Sequence, residues 1–596
     1  MSVLDRIERL RNVMEQQKVD CYIIPTDDYH HSEYVGDYFK FREYITGFTG
    51  SAGTAVFTKD KAGLWTDGRY FIQADAQLKG SGITLYKSGE SDVPTIEEFL
   101  KSELKEGDVL GFDGRTVTYA QGKRYCHIAD ENGASLKYSL DFAQNIWKER
   151  PEMSMESVFS LADEYTGEKI GSKLERIREI MKENGCNAHV LSSLDDIAWL
   201  LNIRGNDIAY CPLVLSYAIV YNNSVELFAD IRKFSDDIIN LLAENQVKIY
   251  PYEGIYRKVS EMTSEDKLLL DSSIMNYSLY QAISKETVII DKQNPEILMK
   301  SVKNETQAEN LRKAHLKDAV AHTKFMYWLK KNIGRVEITE LSASARLEEL
   351  RAEQEHFLGP SFGPISAYGE HGAIVHYSAD EKSNVPLKEG KLFMTDTGGH
   401  YLEGSTDITR TVALGEVGNL EKEHFTLVAR AMLRLANTVF LYGCSGANLD
   451  CIAREVFWKE GLNFNHGTGH GVGYLLNIHE GPINFRWKEG ERPAPALEEN
   501  MVITDEPGIY IEGSHGIRLE NELLVRKTVK NEYGQFMNFE ILTYVPIDLD
   551  AILPEKMSTE EKEMLNHYHK QVYEKVSPYL SEEERIWLKE YTRAVK

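Results

Sequence analysis

The sequence is poor in cysteine, in basic residues relative to acidic ones, and in long apolar segments. Its 6 cysteines are scattered without CxxC spacing, which favours reduced thiols over a zinc-thiolate site. No stretch resembles a signal core or a membrane span. Lys and Arg number 68 against 93 Asp and Glu, and the net charge of −25 argues against nucleic acid or an anionic membrane as the main partner. These absences predict a cytoplasmic protein of ordinary globular composition.

The first half of the chain contains an internal repeat. Its 596 residues exceed what one hydrophobic core accommodates, so several domains are expected. Residues 6–11 recur as 173–178, with apolar side chains at helical spacing in both copies. A β-hairpin predicted at 55–67 recurs at 218–230. The repeat predicts two related α/β domains in tandem, at residues 1–150 and 151–300.

The second half has a different pattern. Helices are predicted from about residue 305 to 331 and from about 338 to 355, before short β-rich runs joined by glycine-rich turns. Helices return near the end, where Ser558 with Glu561 and Ser581 with Glu584 have capping-box spacing. We predict an α+β catalytic domain at residues 301–550. A helical extension at 551–596 would serve as a packing element or a dimer contact.

Three segments of the second half carry an unusual set of acids and histidines. In the first, Asp396 and Asp407 flank a glycine-containing turn, and a hairpin there would direct both towards one face. Either residue alone is as readily explained as an ordinary turn acid. In the third, Glu506 and Glu520 accompany two apolar strands around another glycine turn, and acids on apolar strands need a partner or an ion.

The second segment is a glycine-rich run with His466 and His470, followed by His479. The i, i+4 spacing of the first two is that of a helical zinc motif. Four alternating glycines disfavour a helix, since each costs about 1 kcal/mol relative to alanine. An irregular loop or strand is favoured, in which glycine lets the backbone approach a ligand or ion closely.

Taken together, the three segments predict a dinuclear metal centre. Four carboxylates in one pocket would become protonated unless cations compensated them. Two divalent ions balance the charge of Asp396, Asp407, Glu506 and Glu520, on strands that we expect to form a single sheet. Oxygen-rich ligation with one imidazole favours manganese.

These motifs resemble the pita-bread family, which comprises methionine aminopeptidase, prolidase, creatinase and aminopeptidase P. The resemblance lies in residues 395–398, 407–411, 466–473 and 504–508. It implies five metal ligands, which are Asp396, Asp407, His470, Glu506 and Glu520. It also implies catalytic roles for Glu506 and for three supporting histidines, which are His376, His466 and His479.

The resemblance extends to the first half. Residues 32–34, 47–54 and 65–71 are similar to the first domain of the long, three-domain cytosolic form of aminopeptidase P (Xaa-Pro aminopeptidase). It implies two creatinase-type domains before the pita-bread domain, a substrate-binding role for Arg69 beside those of His376 and His479, and a homodimer formed through the C-terminal helices. The charged loop at 485–492 is longer than the family pattern, which leaves the preference for peptide length open.

The implied activity is removal of an N-terminal residue that precedes proline. A hydroxide bridging two Mn²⁺ ions would attack the carbonyl carbon, Glu506 would relay the proton, and His376 or His479 would stabilise the oxyanion. Two alternatives remain. Prolidase, which acts on Xaa-Pro dipeptides, normally has one N-terminal domain. A catalytically inactive pita-bread scaffold would usually have lost metal ligands.

Overall fold

The computed structural model describes residues 1–488 and 493–596. The remainder of the charged loop, residues 489–492, lies outside the described residues. The chain divides into two compact units: unit 1 consists of Met1–Leu161 and Glu168–Glu296, and unit 2 of Ala162–Gly167 and Ile297–Lys596. None of the described helices has the length and apolar character needed to cross a bilayer. None of the six cysteines, all of which are described, forms a disulfide.

The first fourteen strands belong to unit 1. They are β1 (Cys21–Pro25), β2 (Thr54–Thr58), β3 (Ala62–Thr66), β4 (Thr84–Lys87), β5 (Val109–Phe112), β6 (Ser135–Lys137), β7 (Phe159–Ser160), β8 (Ala188–Leu191), β9 (Ile203–Arg204), β10 (Tyr217–Tyr221), β11 (Val225–Phe228), β12 (Val247–Tyr250), β13 (Lys267–Leu270) and β14 (Val288–Asp291).

Helices accompany these strands along the chain. They are α1 (Val3–Gln17), α2 (Phe41–Thr46), α3 (Phe71–Gln77), α4 (Ile96–Glu103), α5 (Tyr119–Glu131), α6 (Ala143–Ile146), α7 (Asp163–Thr166), α8 (Ile170–Glu183), α9 (Leu194–Leu200), α10 (Asp236–Glu244), α11 (Gly254–Ser260), α12 (Tyr277–Ala282) and α13 (Pro295–Ser301). Of these, α7 belongs to unit 2 and α13 crosses the boundary between the units.

The internal repeat corresponds to two six-stranded sheets of identical topology. One has the order β4-β3-β2-β1-β5-β6 and the other β12-β11-β10-β8-β13-β14. In each, the first strand pairs antiparallel with a hairpin and parallel with a later strand. The repeated helices α1 and α8 bury the apolar residues that define the repeat, among them Leu10 and Ile177. The predicted duplication of an α/β fold is therefore confirmed.

Unit 2 contains the remaining elements. Its strands are β15 (Phe357–Pro360), β16 (Ile365–Tyr368), β17 (Lys391–Thr397), β18 (Gly399–Tyr401), β19 (Gly404–Ser405), β20 (Ile408–Leu414), β21 (Phe440–Leu441), β22 (Gly469–Val472), β23 (His479–Phe485), β24 (Val502–Asp505), β25 (Gly508–Ile511), β26 (His515–Arg518), β27 (Asn521–Asn531) and β28 (Gly534–Ile541). Its other helices are α14 (Glu305–Asn332), α15 (Glu340–Ala352), α16 (Asn419–Ala436), α17 (Gly446–Trp458), α18 (Thr559–Val576) and α19 (Glu582–Tyr591).

The strands of unit 2 form several sheets. A six-stranded sheet has the order β21-β28-β27-β24-β22-β23, and three-stranded sheets have the orders β16-β17-β20 and β15-β18-β19. The prediction of a single sheet for all candidate ligands is wrong. Strand β17 pairs with β16 on one side and with its hairpin partner β20 on the other, and the segment between β17 and β20 forms its own short hairpin, β18–β19, in which β18 pairs with β15.

The C-terminal helices pack against the core of unit 2. Both start at capping boxes, formed by Ser558 with Glu561 and by Ser581 with Glu584, as predicted. From α18, Leu565 and Val572 are fully buried in the hydrophobic core that α14, α16 and the sheets share. The sequence analysis offered two roles for this segment, a packing element or a dimer contact. The structure shows that it packs within its own chain.

Candidate metal centre

Two acids of the candidate centre lie at one end of the β17–β20 hairpin. Asp396 is the penultimate residue of β17 and pairs in register with Thr409. Asp407 immediately precedes β20, and its backbone N–H donates to the Glu522 carboxylate at 2.6 Å. Both aspartates are buried. The hairpin therefore directs both into the protein interior, as the sequence predicted, and not into a solvated turn.

The six-stranded sheet supplies a histidine and a glutamate. His470 lies in β22, and its Nδ1–H donates to the carbonyl of Gly471 at 2.9 Å, so its Nε2 carries the lone pair. That atom lies 3.4 Å from Asp407 Oδ2 and 3.7 Å from Glu506 Oε1. Glu506 directly follows β24. His470 thus lies in a strand, one of the two alternatives predicted for its segment, and the strand-end position predicted for Glu506 is confirmed.

Glu520 completes the group from the short connection between β26 and β27. Its carboxylate accepts a hydrogen bond from the Thr409 hydroxyl at 2.7 Å, and its backbone N–H donates to the Thr409 carbonyl at 3.1 Å. These bonds join the two sheets at the centre. One ligand-type atom from each of Asp407, His470 and Glu520 lies within 4.8 Å of the others.

The carboxylates lie too close together to be ionised without compensation. Burial, reinforced by the Asp396 carboxylate, raises the pKa of Asp407 to about 7. Burial and the Asp407 and Asp396 charges raise the pKa of Glu520 well above its ordinary value, and burial also raises that of Glu506. Each shift reports the cost of placing negative charge next to negative charge in a site of low polarity.

The donor set fits divalent cations. Asp396 Oδ1 is buried and has no hydrogen-bond partner among the described residues, although buried carboxylate oxygens are normally paired. His470 Nε2 faces carboxylate oxygens of Asp407 and Glu506. A backbone carbonyl fixing the distal nitrogen is the usual support of a metal-ligating histidine. A cation among these atoms would satisfy all of them.

A buried arginine, which the sequence analysis did not single out, adjoins the acids. Arg518 Nη2 donates to Asp396 Oδ2 at 2.5 Å, and Nη1 donates to the Tyr510 hydroxyl at 2.7 Å. Tyr510 in turn donates its O–H to His466 Nε2 at 2.8 Å, since His466 Nδ1–H donates to the Gly467 carbonyl. Loss of hydration and the Arg518 charge lower the pKa of His466 to about 3, so this histidine is neutral.

The other two candidate histidines border the same region. The ring of His479, the first residue of β23, lies edge-to-face with that of His470, with centroids 4.2 Å apart. His376 is half-buried in a turn, and the carbonyl of its neighbour Val375 accepts a hydrogen bond from Arg518 at 3.3 Å. His479 thus contacts the ring of His470, whereas His466 is connected to Asp396 through Tyr510 and Arg518, and His376 adjoins a residue that Arg518 contacts.

Arg69 belongs to unit 1. Its guanidinium forms a two-point ion pair with Asp67, with both contacts at 2.8 Å, and its side chain remains 32% exposed. Within unit 1, Arg69 is therefore a partly exposed arginine in an ion pair with Asp67.

The glycines of the histidine segment serve a purpose different from the one predicted. A Cβ at Gly469 would lie 1.9 Å from the Thr504 carbonyl oxygen, and one at Gly471 would lie 2.2 Å from that of Glu480. The close approach is therefore to neighbouring strands, and it brings His470 between β23 and β24. Glycine permits strand packing here, whereas the sequence suggested contact with a ligand.

The loop that carries His466 is held by a buried ion pair on α17. Arg454 forms a 2.6 Å ion pair with Asp450 and donates to the backbone carbonyls of Phe464, at 2.8 Å, and His466, at 2.6 Å. Asp450 also accepts a hydrogen bond from the Thr468 hydroxyl at 2.5 Å. The i, i+4 spacing of Asp450 and Arg454 was visible in the sequence, but their contacts with the loop were not.

Replacing Arg454 with methionine should displace this loop and leave the buried Asp450 carboxylate without its ion-pair partner. Breaking a buried ion pair from one side costs about 3 kcal/mol or more, because the remaining charge is uncompensated. We expect a lower unfolding midpoint in denaturant and at least about a tenfold loss of kcat. The double variant with Asp450→Asn should regain part of the stability. Unchanged stability and kcat in Arg454→Met would show that Arg454 does not hold the His466 loop in place.

Comparisons with known proteins agree with this architecture. Residues 6–137 and 149–307 each match the creatinase/prolidase N-terminal domain, residues 309–527 match metallopeptidase family M24, and residues 535–595 match the C-terminal region of peptidase M24. With the sheet topology, these matches confirm the predicted fold of two creatinase-type domains followed by a pita-bread domain.

Similarity to individual proteins covers the whole chain. The chain is 35% identical to a probable Xaa-Pro aminopeptidase P of Ajellomyces dermatitidis over 99% of both chains. It is 35% identical to Xaa-Pro aminopeptidase 1 of Dictyostelium discoideum, covering 97% of this chain and 94% of that one. The crystal structure of X-prolyl aminopeptidase from Caenorhabditis elegans, described as a cytosolic enzyme with a di-nuclear active site, matches with a TM-score of 0.95 and 33% identity, covering 100% of both chains. The chain therefore belongs to metallopeptidase family M24, in the group of the Xaa-Pro aminopeptidases.

Proposed function

We propose that this protein removes the N-terminal residue from peptides whose second residue is proline, using two divalent cations. The observation that carries the proposal is the crowding of carboxylates around His470, with Asp407, His470 and Glu520 presenting ligand atoms within 4.8 Å of one another. Full-length similarity to Xaa-Pro aminopeptidases supports the choice of substrate. Proline at the second position lacks an N–H, so the scissile bond is a tertiary amide.

The proposed ligands are Asp396, Asp407, His470, Glu506 and Glu520, which together would hold two ions. The di-nuclear site described for the C. elegans enzyme supports two ions in this chain. Manganese is the proposed native metal, since four carboxylates and one imidazole form an oxygen-rich set. Arg518 lies beside Asp396 and adds a fixed positive charge to the four acids.

When bound, two divalent cations supply an activated water and polarise the scissile carbonyl. The side chains of the protein would do the rest. Glu506, whose Oε1 lies 3.7 Å from His470 Nε2, would accept a proton and return it to the departing proline nitrogen. His479, which lies against His470, and His376 would stabilise the developing oxyanion. Neutral His466, fixed by Tyr510, would hold a polar group of the substrate without adding charge.

The remaining proposals concern organisation. We propose domains at 1–150, 151–300 and 301–550 and a C-terminal extension at 551–596, close to the limits of the family matches. Arg69 is proposed to contact substrate and the protein to act as a cytoplasmic homodimer. The description of the C. elegans relative as cytosolic supports the cytoplasmic location.

Peptide release separates this proposal from the alternatives. With Mn²⁺ present, we expect release of arginine from Arg-Pro-Pro at a kcat/KM at least about 100-fold above that for Arg-Ala-Pro, because the site must accept a tertiary amide. Release of the first residue is followed by chromatography, and chelated protein is the control. Cleavage of Arg-Pro but not Arg-Pro-Pro would indicate a prolidase, and no cleavage of any peptide would indicate an inactive scaffold.

A further inference from the structure

Arg410, in β20, is a fully buried arginine next to the candidate ligands. Its side chain is 0% exposed. Its Nη1 donates to the carbonyl of Glu520 at 2.5 Å and to that of Thr409 at 2.8 Å. Its Nη2 donates to Asn521 Oδ1 at 2.8 Å. Arg410 thus holds the short connection between β26 and β27 through hydrogen bonds to Glu520 and Asn521. The carboxylate of Glu520 belongs to the candidate centre.

Arg410 also places a positive charge beside this connection. Its acceptors in the described part of the chain are carbonyl, amide and hydroxyl oxygens, with no carboxylate among them. A guanidinium remains charged at every pH that the fold tolerates. Within the described part of the chain, no ion pair therefore cancels its charge, and the guanidinium donates directly to the backbone carbonyl of Glu520.

The C-terminal helix α18 supplies one of these acceptors. The Tyr568 hydroxyl accepts from Arg410 Nη2 at 2.7 Å and donates to the Val545 carbonyl at 2.6 Å, which itself accepts from Arg410 at 2.8 Å. Tyr568 is 1% exposed. The three groups form a closed triangle of hydrogen bonds, so the orientation of the guanidinium depends on a residue of the C-terminal region.

We propose that Arg410 and Tyr568 are positioning residues for Glu520, so that the C-terminal region supports the metal centre from within its own chain. The inference rests on the proposed function, because it assumes that Glu520 is a ligand. A packing helix alone would need only apolar residues at this position, such as its neighbours Leu565 and Val572. The buried hydroxyl, directed at the guanidinium that holds Glu520, is what distinguishes α18 from such a helix.

The test replaces single hydroxyls on α18. Tyr568→Phe keeps the ring and removes the acceptor, whereas Tyr573→Phe removes a hydroxyl from a half-buried position on the same helix. Chelated full-length protein is titrated with Mn²⁺ while the signal of the free ion is followed by electron paramagnetic resonance. We expect two ions in the unmodified protein. In Tyr568→Phe one of them should bind about fivefold more weakly, since a buried donor loses an acceptor. Tyr573→Phe should stay within about twofold of the unmodified protein.

Arg410→Lys provides a second, independent variant. Lysine keeps the charge but cannot hold the carbonyl of Glu520 and the amide of Asn521 together, and we expect at least about 20-fold weaker binding of one ion. If the unmodified protein binds two ions and both Tyr568→Phe and Arg410→Lys bind them equally well, the positioning role is wrong while the proposed function stands. If the unmodified protein binds no Mn²⁺, both are wrong.

Discussion

Asp407→Asn should abolish activity and lower the metal content. Asparagine has the same shape but removes one of four negative charges and the second anionic oxygen that a bridging ligand needs. We expect kcat/KM on Arg-Pro-Pro to fall at least about 1000-fold, and bound Mn²⁺ to fall from two ions to one or none. Metal content after dialysis is measured by elemental analysis, beside the peptide-release assay.

The control for this substitution is Asp60→Asn, in the exposed turn between β2 and β3. It removes the same charge in unit 1, outside the proposed ligand set, and should retain full metal content and activity. Burial raises the pKa of Asp407, so Asp407→Asn should also leave the metal-free protein at least as stable as the unmodified one at pH 8. Full turnover with two bound ions in Asp407→Asn would refute the dinuclear proposal.

Removal of the metal should make stability depend on pH with a defined sign. The folded-state pKa values of Asp407, Glu506 and Glu520 are raised, so the folded metal-free protein holds more protons than the unfolded chain. Stability then falls as pH rises, from about pH 4, where unfolded carboxylates ionise, through the value of about 7 for Asp407. We expect the melting temperature of the chelated protein to drop at least about 5 °C between pH 5.5 and pH 8.

Reloading with Mn²⁺ should reverse this trend. The ligands must lose their protons to bind cations, so binding releases protons and its apparent affinity rises about tenfold per pH unit for each proton released. Calorimetry in buffers of different ionisation enthalpy counts those protons, and thermal melts with and without Mn²⁺ give the stability. Asp407→Asn in its chelated form should show a shallower pH dependence. A flat melting temperature for the chelated unmodified protein over this range would show that its acids are not crowded.

Much of the fold was predictable because its signals are local. Matching helical and hairpin patterns in the sequence predicted the repeat in the first half. The capping-box spacing at Ser558 and Ser581 predicted where α18 and α19 begin. Helix α14 was predicted to within one residue at its C-terminal end, and α15 is two to three residues shorter at each end than predicted. Helix ends depend on caps and neighbours, which local periodicity does not report.

The arrangement of sheets was not predictable in the same way. Strand propensity around Asp396 and around Glu506 is the same whether these strands share a sheet or not. What separates the sheets is pairing with β16 on one side and with β22 and β27 on the other. Such pairings join residues 16 to 32 positions apart in the sequence, and a local pattern does not encode them.

The sequence by itself determined which groups must be neutralised. Asp396, Asp407, Glu506 and Glu520 with His470 predict bound cations, since charge and ligand type are properties of the residues themselves. Only the tertiary structure decided what holds them in place: Arg518 beside Asp396, Arg454 behind the His466 loop, and Arg410 with Tyr568 behind Glu520. The reason is physical. A hydrogen bond is made within about 3 Å, and the chain must be folded before residues so far apart in sequence come that close.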